Sequence, residues 1–423
     1  MKNSNLDNLI NINNRIIYGK EIRDFFINSN KKIFTSKQYN NILILYTTKN
    51  KILKYLTDHL GAVGGSIDAE AYKLELPNNI KLAIKIIPLA KNELNKFLDN
   101  SYKSWKELEI LKTLYTSIKD YTSPNIPIIY FYFICKNMKT TDYLNPNIQK
   151  YYNNLNIRNS VKDKIKQDVD NDSLLDILNR MNKKKGFGQN SLCIMNELCD
   201  TTIKDLLYNI EIEKINDNIF KSFIFQILNG LYCIHKYNIA HFDLHGGNIL
   251  ISYIKSGKYW AYNVGNKKYY ICNYGYILKL WDFGRSIIIN ENNLDMLING
   301  ILQQVKRFYK NIFKYNKNFV NDVKELLNIS NIKIILFAFD LWRIVSYLYS
   351  KIKAKEYLSL KFKKTLKLLT NIKKDCEYNW IYPLINKQIN VSFEKFNSYL
   401  LNKYFHKFTV EKTEIINNIE YMC

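Results

Sequence analysis

Ile239-Ala240-His241-Phe242-Asp243-Leu244-His245-Gly246-Gly247-Asn248-Ile249-Leu250 is followed, after one further strand-like run, by Leu278-Lys279-Leu280-Trp281-Asp282-Phe283-Gly284-Arg285. Both stretches wedge polar residues between apolar runs, where a buried charge costs several kcal/mol unless a partner or a metal compensates it. Asp243 and Asn248 share one loop and can face a common space, and Asp282 arrives from a separate segment. Asn248 and Asp282 offer two hard oxygen ligands. Such a set suits Mg²⁺, which takes few protein carboxylates and completes its shell with water and phosphate oxygens. Asp243 is then left to orient or deprotonate a hydroxyl. His235, His241 and His245 lie close by with Asp243 among them, so taken alone the stretch also admits a zinc site.

Upstream, residues 52–88 break into short strand-like runs: KILKYL, a glycine-bearing loop at Gly61 to Gly65, AYKLEL, a turn at Pro77-Asn78-Asn79, and KLAIKII. A helix is expected over about 91–114, then the strand IPIIYFYFIC and, after a polar insertion at about 138–190, the strand SLCIMNEL. From Asp200 onward the pattern is mainly helical. Phe220, Phe223, Ile224, Ile227, Leu231 and Ile234 recur at spacings of three and four and give one apolar face. Strands are expected over 248–254 and 269–281, and helices over the remainder, including 294–313 and an apolar run around 337–349. The fold class is α+β, a small β-rich half followed by a larger helical one.

The chain has 423 residues, 62 Lys and Arg against 38 Asp and Glu, and a formal net charge of +24. That excess admits a nucleic-acid binder, yet only seven of the basic residues are Arg, the residue favoured for bidentate phosphate and base contacts. Abundant Lys, Asn, Ile and Tyr is also what an AT-rich genome produces unaided. Nine Lys and one Glu fall within 351–374, with Leu358, Phe362, Leu366, Leu369 and Ile372 at helical spacing. This basic amphipathic helix reads as a solvated outer face, with nucleic acid, an anionic membrane or an acidic substrate as alternative contacts. Seven scattered cysteines without a CxxC pair fit a reducing compartment. No secretory leader and no apolar run near the 20 residues of a membrane span is seen, so an intracellular, cytoplasmic protein is expected.

His241-x-Asp243-x4-Asn248 with Asp282-Phe283-Gly284 after it resembles the catalytic loop and metal-binding motif of the protein-kinase-like superfamily. The resemblance covers about 50–350 and implies a two-lobed fold that uses ATP and Mg²⁺. It implies that Asp243 is the catalytic carboxylate and that Asn248 and Asp282 hold the metal. Leu82-Ala83-Ile84-Lys85 resembles the strand carrying the phosphate-binding lysine, so Lys85 joins the catalytic set. Glu107 is implied as its ion-pair partner, with Glu109 the alternative register. Met195-Asn196-Glu197-Leu198 resembles the hinge: Glu197 and Leu198 would meet the adenine edge, Asn196 would take the gatekeeper position, and Ala83 and Leu250 would sandwich the ring. Gly61, Gly64, Gly65 and Ala71 belong to the implied phosphate loop and its following strand. Phe339-Asp340-Leu341-Trp342 resembles the buried helix whose Asp accepts hydrogen bonds from catalytic-loop amides.

Several positions depart from the pattern. Only Gly64 falls on one of the family's three glycine positions; Ser66 and Ala69 occupy the others. Phe242 stands where many regulated kinases have Arg, no Ala-Pro-Glu is found between Gly284 and Asp340, and His245 replaces a common Lys. These features are similar to haspin-type and large-DNA-virus-type atypical kinases, and Asp-Leu-His-x-Gly-Asn also resembles small-molecule phosphotransferases. The expected organisation is an extension over 1–45, an N-lobe over 46–196 and a C-lobe over 197–423. The expected activity is ATP-dependent phosphorylation of protein Ser or Thr. The alternatives are a small-molecule phosphotransferase and a silent pseudokinase binding module. Protein substrates, acidic ones included, are the implied partners, and a viral source would admit a virion location.

Overall fold

The short apolar runs of the N-terminal half pair edge to edge into one seven-stranded sheet. Its strands are β1 (Thr35–Tyr39), β2 (Ile42–Thr48), β3 (Gly64–Ser66), β4 (Ala69–Leu76), β5 (Ile80–Ala90), β6 (Ile129–Lys136) and β7 (Phe187–Glu197), in the order β1-β2-β6-β7-β5-β4-β3. The computed structural model describes residues 12–28, 35–39, 42–48, 64–66, 69–76, 80–90, 93–97, 99, 102–119, 123–136, 187–208, 215–257, 259–264, 267–299, 329–352, 358–360, 363 and 419–422. Expectations for KILKYL, Gly61, the turn at 77–79, most of the 138–190 insertion, 300–313 and most of 351–374 lie outside the described residues. The described residues divide into two compact units, one drawn from Asn13–Lys112 and Ile128–Cys199, the other from Thr113–Pro127 and Asp200–Cys423.

In the first unit all strand pairs are antiparallel except β2 with β6. Leu82 to Ile87 of β5 are buried on both faces of the sheet, which is why this run reads as continuous rather than alternating apolar sequence. Helix α1 (Ile12–Asn28) belongs to this unit from Asn13 on. It is fixed by a fork-to-fork ion pair: Arg15 Nε and Nη2 donate to Glu197 Oε1 and Oε2 at 2.8 and 2.7 Å, with Arg15 only 1% exposed. Glu197 Oε2 also accepts from Ile128 N at 3.1 Å. Burial alone would weaken the guanidinium's hold on its proton, but the Glu197 carboxylate outweighs it and the Arg15 pKa is raised.

Helix α2 (Lys103–Lys119) buries Trp105, Leu108, Leu111, Leu114 and Ile118 along one stripe. It starts later than the expected 91. Successive turns, Lys96 N to Glu93 O, Asp99 N to Lys96 O and Tyr102 N to Asp99 O, tie up the backbone over the polar stretch before it.

The second unit contains α3 (Ile203–Tyr208), α4 (Asp217–Lys236) and α5 (Ile329–Ile352). Asn216 caps α4, its side chain accepting from Asn218 N and Ile219 N. The strands are β8 (Thr201–Thr202), β9 (Ile239–Ala240), β10 (Ile249–Tyr253), β11 (Tyr259–Val264), β12 (Lys267–Cys272), β13 (Tyr276–Leu280), β14 (Ile287–Ile288) and β15 (Ile419–Met422). They form sheets β13-β10-β8 and β12-β11-β15 and the pair β14-β9. The run expected as one strand over 269–281 is two, joined at Gly275, whose φ of 90° suits a residue without Cβ. Asn273 Oδ1 accepts from Gly275 N and closes that turn. Asn125 ties the segment before β6 to this unit, donating to Leu278 O at 2.7 Å and accepting at its own carbonyl from Leu280 N. Among the described residues no helix is long and apolar enough to cross a membrane.

Replacing Arg15 by Met leaves the Glu197 carboxylate buried and uncompensated, so urea unfolding is expected to show a loss of about 3–5 kcal/mol. Arg15→Met with Glu197→Gln is expected to recover part of that loss. Equal stability of wild type and Arg15→Met would contradict the role given to this pair.

Candidate active site

In the first unit, β5 aims Lys85 at α2. Its Nζ lies 2.5 Å from Glu107 Oε1, and the two side chains are 4% and 3% exposed. Glu107 rather than Glu109 therefore takes the pair. Ala71 lies opposite Lys85 in the β4–β5 register, and Asn196 lies opposite Ala83 in the β5–β7 register. Side chains alternate along a strand, so Ala71, Ala83, Lys85 and Asn196 stand on one face of the sheet. Gly64 and Gly65 are strand residues of β3 paired with Ala71 and Glu70, while Gly61 lies outside the described residues. Glu197 ends β7 with its carboxylate committed to Arg15, and Leu198 follows part-exposed.

In the second unit, the loop from His241 to Asn248 hangs from one carboxylate. Asp340 of α5, 0% exposed, accepts from His241 N at 2.6 Å and Phe242 N at 2.7 Å, and meets His235 Nε2 at 3.3 Å. Phe242 adopts φ 64°, a left-handed conformation costly for a residue with a Cβ and held here by that clamp. The loop is stitched to the segment carrying Asp282 at three points. His241 Nε2 donates to Trp281 O at 2.8 Å, Trp281 N donates to Asn248 O at 2.9 Å, and Ser286 Oγ donates to His241 O at 3.1 Å. Strands β9 and β14 then pair Ala240 with Ile287. Asp243, Asn248 and Asp282 are thus brought to one frame. Leu250 leaves this loop in β10, opposite Thr202 and Lys279 and buried.

The Asp243 carboxylate is flanked by two guanidiniums. Arg343 Nη2 of α5 donates to Oδ1 at 2.7 Å, and Arg343 Nη1 also reaches Phe242 O at 3.2 Å. Arg285 Nε approaches Oδ2 at 3.6 Å from a side chain 51% exposed. Asn248 Nδ2 donates to the Asp243 carbonyl at 2.9 Å, which fixes the amide and turns its Oδ1 away as an oxygen donor. Asp282 is held at φ 63°, ψ 71°, again a left-handed conformation. A carboxamide oxygen and a carboxylate so placed fit a hard divalent cation. The three histidines do not form a zinc site: His235 is engaged with Asp340, His241 with Trp281, and His245 Nδ1 accepts from Gly247 N. Among the described residues no group of three His, Cys, Asp or Glu could hold a metal.

Sequence reasoning missed Arg15, Arg285, Arg343 and Tyr347. The scarcity of arginine was the available signal, because in a lysine-rich chain each Arg is a candidate for a forked bond. Tyr347 explains a glycine: a Cβ on Gly246 would lie 2.3 Å from the Tyr347 ring.

A buried lysine–carboxylate pair on an antiparallel sheet, and a clamped Asp–Asn loop stitched to a second Asp, are the arrangement expected of a kinase-class phosphotransferase. The family model for the protein kinase domain matches residues 69–302, more than half of the chain, and the chain belongs to that family. Among curated proteins none matches the sequence.

Gly246→Ala is expected to displace the Tyr347 ring and cost about 1–3 kcal/mol in denaturant unfolding. Gly246→Ala with Tyr347→Ala should relieve the clash, and no cost in the single variant would contradict the close approach. Burial lowers the His235 pKa below its ordinary 6.5, more than Asp340 raises it. The unfolded ring therefore binds a proton that the folded ring resists, so stability present above pH 6.5 is lost as pH falls through the folded value. The melting temperature should drop from about pH 7 to 5.5, and His235→Gln should flatten that slope. An unchanged slope in the variant would contradict it.

Proposed function

We propose that this chain is an ATP-dependent protein kinase that transfers the γ-phosphoryl group to Ser or Thr hydroxyls of protein substrates. The formed Lys85–Glu107 pair carries the reading: desolvating both ions costs several kcal/mol, and a structural role would be served as well by apolar side chains of similar volume. Held by Glu107, the Lys85 ammonium is a fixed positive charge for phosphate oxygens. Asn248 Oδ1 and the Asp282 carboxylate would hold a divalent metal, which when bound would neutralise charge on the transferring phosphates.

Asp243 receives the acceptor hydroxyl. Arg343 anchors Oδ1, so Oδ2, faced among the described residues only by the longer contact to Arg285, is the oxygen to which the hydroxyl donates. As the hydroxyl oxygen bonds to the γ-phosphorus, the bond to the β,γ-bridging oxygen breaks. ADP departs and the hydroxyl proton passes to Asp243. Arg343 also grips the same loop at the Phe242 carbonyl, from α5 rather than from within the loop. No phosphate on a later loop is required for that grip, which supports an atypical kinase active without such a switch.

Purified protein with ATP and Mg²⁺ should label Ser or Thr in a protein mixture and leave aminoglycosides unlabelled. Asp243→Asn should abolish labelling. Arg343→Ala should lower kcat on the order of 100-fold by loosening the carboxylate, with the KM for ATP little changed. Labelling of aminoglycosides alone would replace this reading with a small-molecule phosphotransferase. Nucleotide binding with no transfer, unaltered by Asp243→Asn, would replace it with a silent binding module.

A further inference from the structure

Asn196 is 1% exposed, and among the described residues neither its Oδ1 nor its Nδ2 has a hydrogen-bond partner. Other buried carboxamides are better served: Asn125 Nδ2 donates to Leu278 O, and Asn229 Oδ1 accepts from Ser123 Oγ. Among the described residues Asn196 is the one carboxamide with both ends unmet. Each unmet buried polar atom keeps its full desolvation penalty, whereas Leu fills nearly the same volume at no such cost. A polar side chain kept there on those terms points to a ligand that supplies the missing donor and acceptor.

The register says where that ligand lies. Asn196 sits opposite Ala83, and Lys85 is two residues further along β5 on the same face of the sheet. Roughly 7 Å separates such positions along a strand. A molecule whose phosphates engage Lys85 therefore extends its other end toward Ala83 and Asn196. A carboxamide presents one acceptor and one donor side by side, the pattern that pairs with the exocyclic amino group and N7 of adenine. Guanine offers two acceptors on that edge and leaves Asn196 Oδ1 without a donor.

We infer that Asn196 is a specificity-determining residue that reads the N6 and N7 edge of adenine through both ends of its carboxamide and rejects guanine. This rests on the kinase reading above, and it deepens that reading by naming how the nucleotide is chosen. The energetic logic is asymmetric. In the absence of nucleotide Asn196 is a liability to the fold, and on binding it becomes two hydrogen bonds in a site from which water is excluded.

The test is equilibrium competition on the full chain, displacing a fluorescent nucleotide with ATP, 7-deaza-ATP, N6-methyl-ATP and GTP. Wild type should bind ATP roughly tenfold more tightly than 7-deaza-ATP, which lacks only the N7 acceptor, and should discriminate against GTP more strongly. Asn196→Leu should bind ATP and 7-deaza-ATP alike, and its melting temperature without nucleotide should equal or exceed that of wild type. The comparison of ATP with 7-deaza-ATP on wild type needs no variant and survives any misfolding of one. Equal affinity of wild type for ATP, 7-deaza-ATP and GTP would overturn the inference and leave the kinase reading standing. Discrimination retained in Asn196→Leu would do the same. Failure of every nucleotide to bind would overturn both.

Discussion

A single buried carboxylate organises the half of the molecule that holds the loop from His241 to Asn248. Asp340 sits in an apolar helix with no solvent exposure, so its charge is tolerated only because donors surround it. Two of those donors are successive backbone amides, His241 and Phe242, and this pairing demands the left-handed turn at Phe242. Once that turn is set, His241 reaches Trp281, and the loop and the Asp282 segment become one hydrogen-bonded frame. Strain at Phe242 is offset by its bonds to Asp340 and Arg343 of α5, which also brings Arg343 to Asp243 and Tyr347 to Gly246.

Electrostatics are settled pairwise rather than by the overall charge. Glu107 is matched by Lys85, Glu197 by Arg15, and Asp243 by Arg343 and Arg285. Two of the seven arginines, Arg15 and Arg343, thus sit where a planar, always-charged fork is worth more than a lysine. The net charge of +24 is accordingly a statement about the remaining, lysine-dominated positions and carries no information about the catalytic chemistry.

The motifs legible in the sequence were those whose members lie near one another or in fixed order: Asp243 with Asn248, Asp282 after them, Lys85 before Glu107. Their polar character inside apolar runs was the signal. What sequence could not show were pairs made by tertiary approach. Arg15 and Glu197 are separated by 182 positions and Arg343 and Asp243 by 100, and nothing local to either arginine marks its partner. The 1–45 stretch carries no sequence sign of chemistry because a helix whose one decisive residue is a buried Arg has no distinctive pattern. The run over 269–281 reads as one strand because its apolar content is continuous, whereas Gly275 turns it. The orphaned amide of Asn196 became visible only with the count of its missing partners.

The most direct measurement of the central claim is transfer of radiolabelled γ-phosphate from ATP by wild type beside Lys85→Met and Asp282→Ala, with identification of the labelled residue. Label on Ser or Thr with wild type, and its loss in both variants while each keeps its melting transition, is the predicted result. Labelling that survives both substitutions would contradict the assignment of this site.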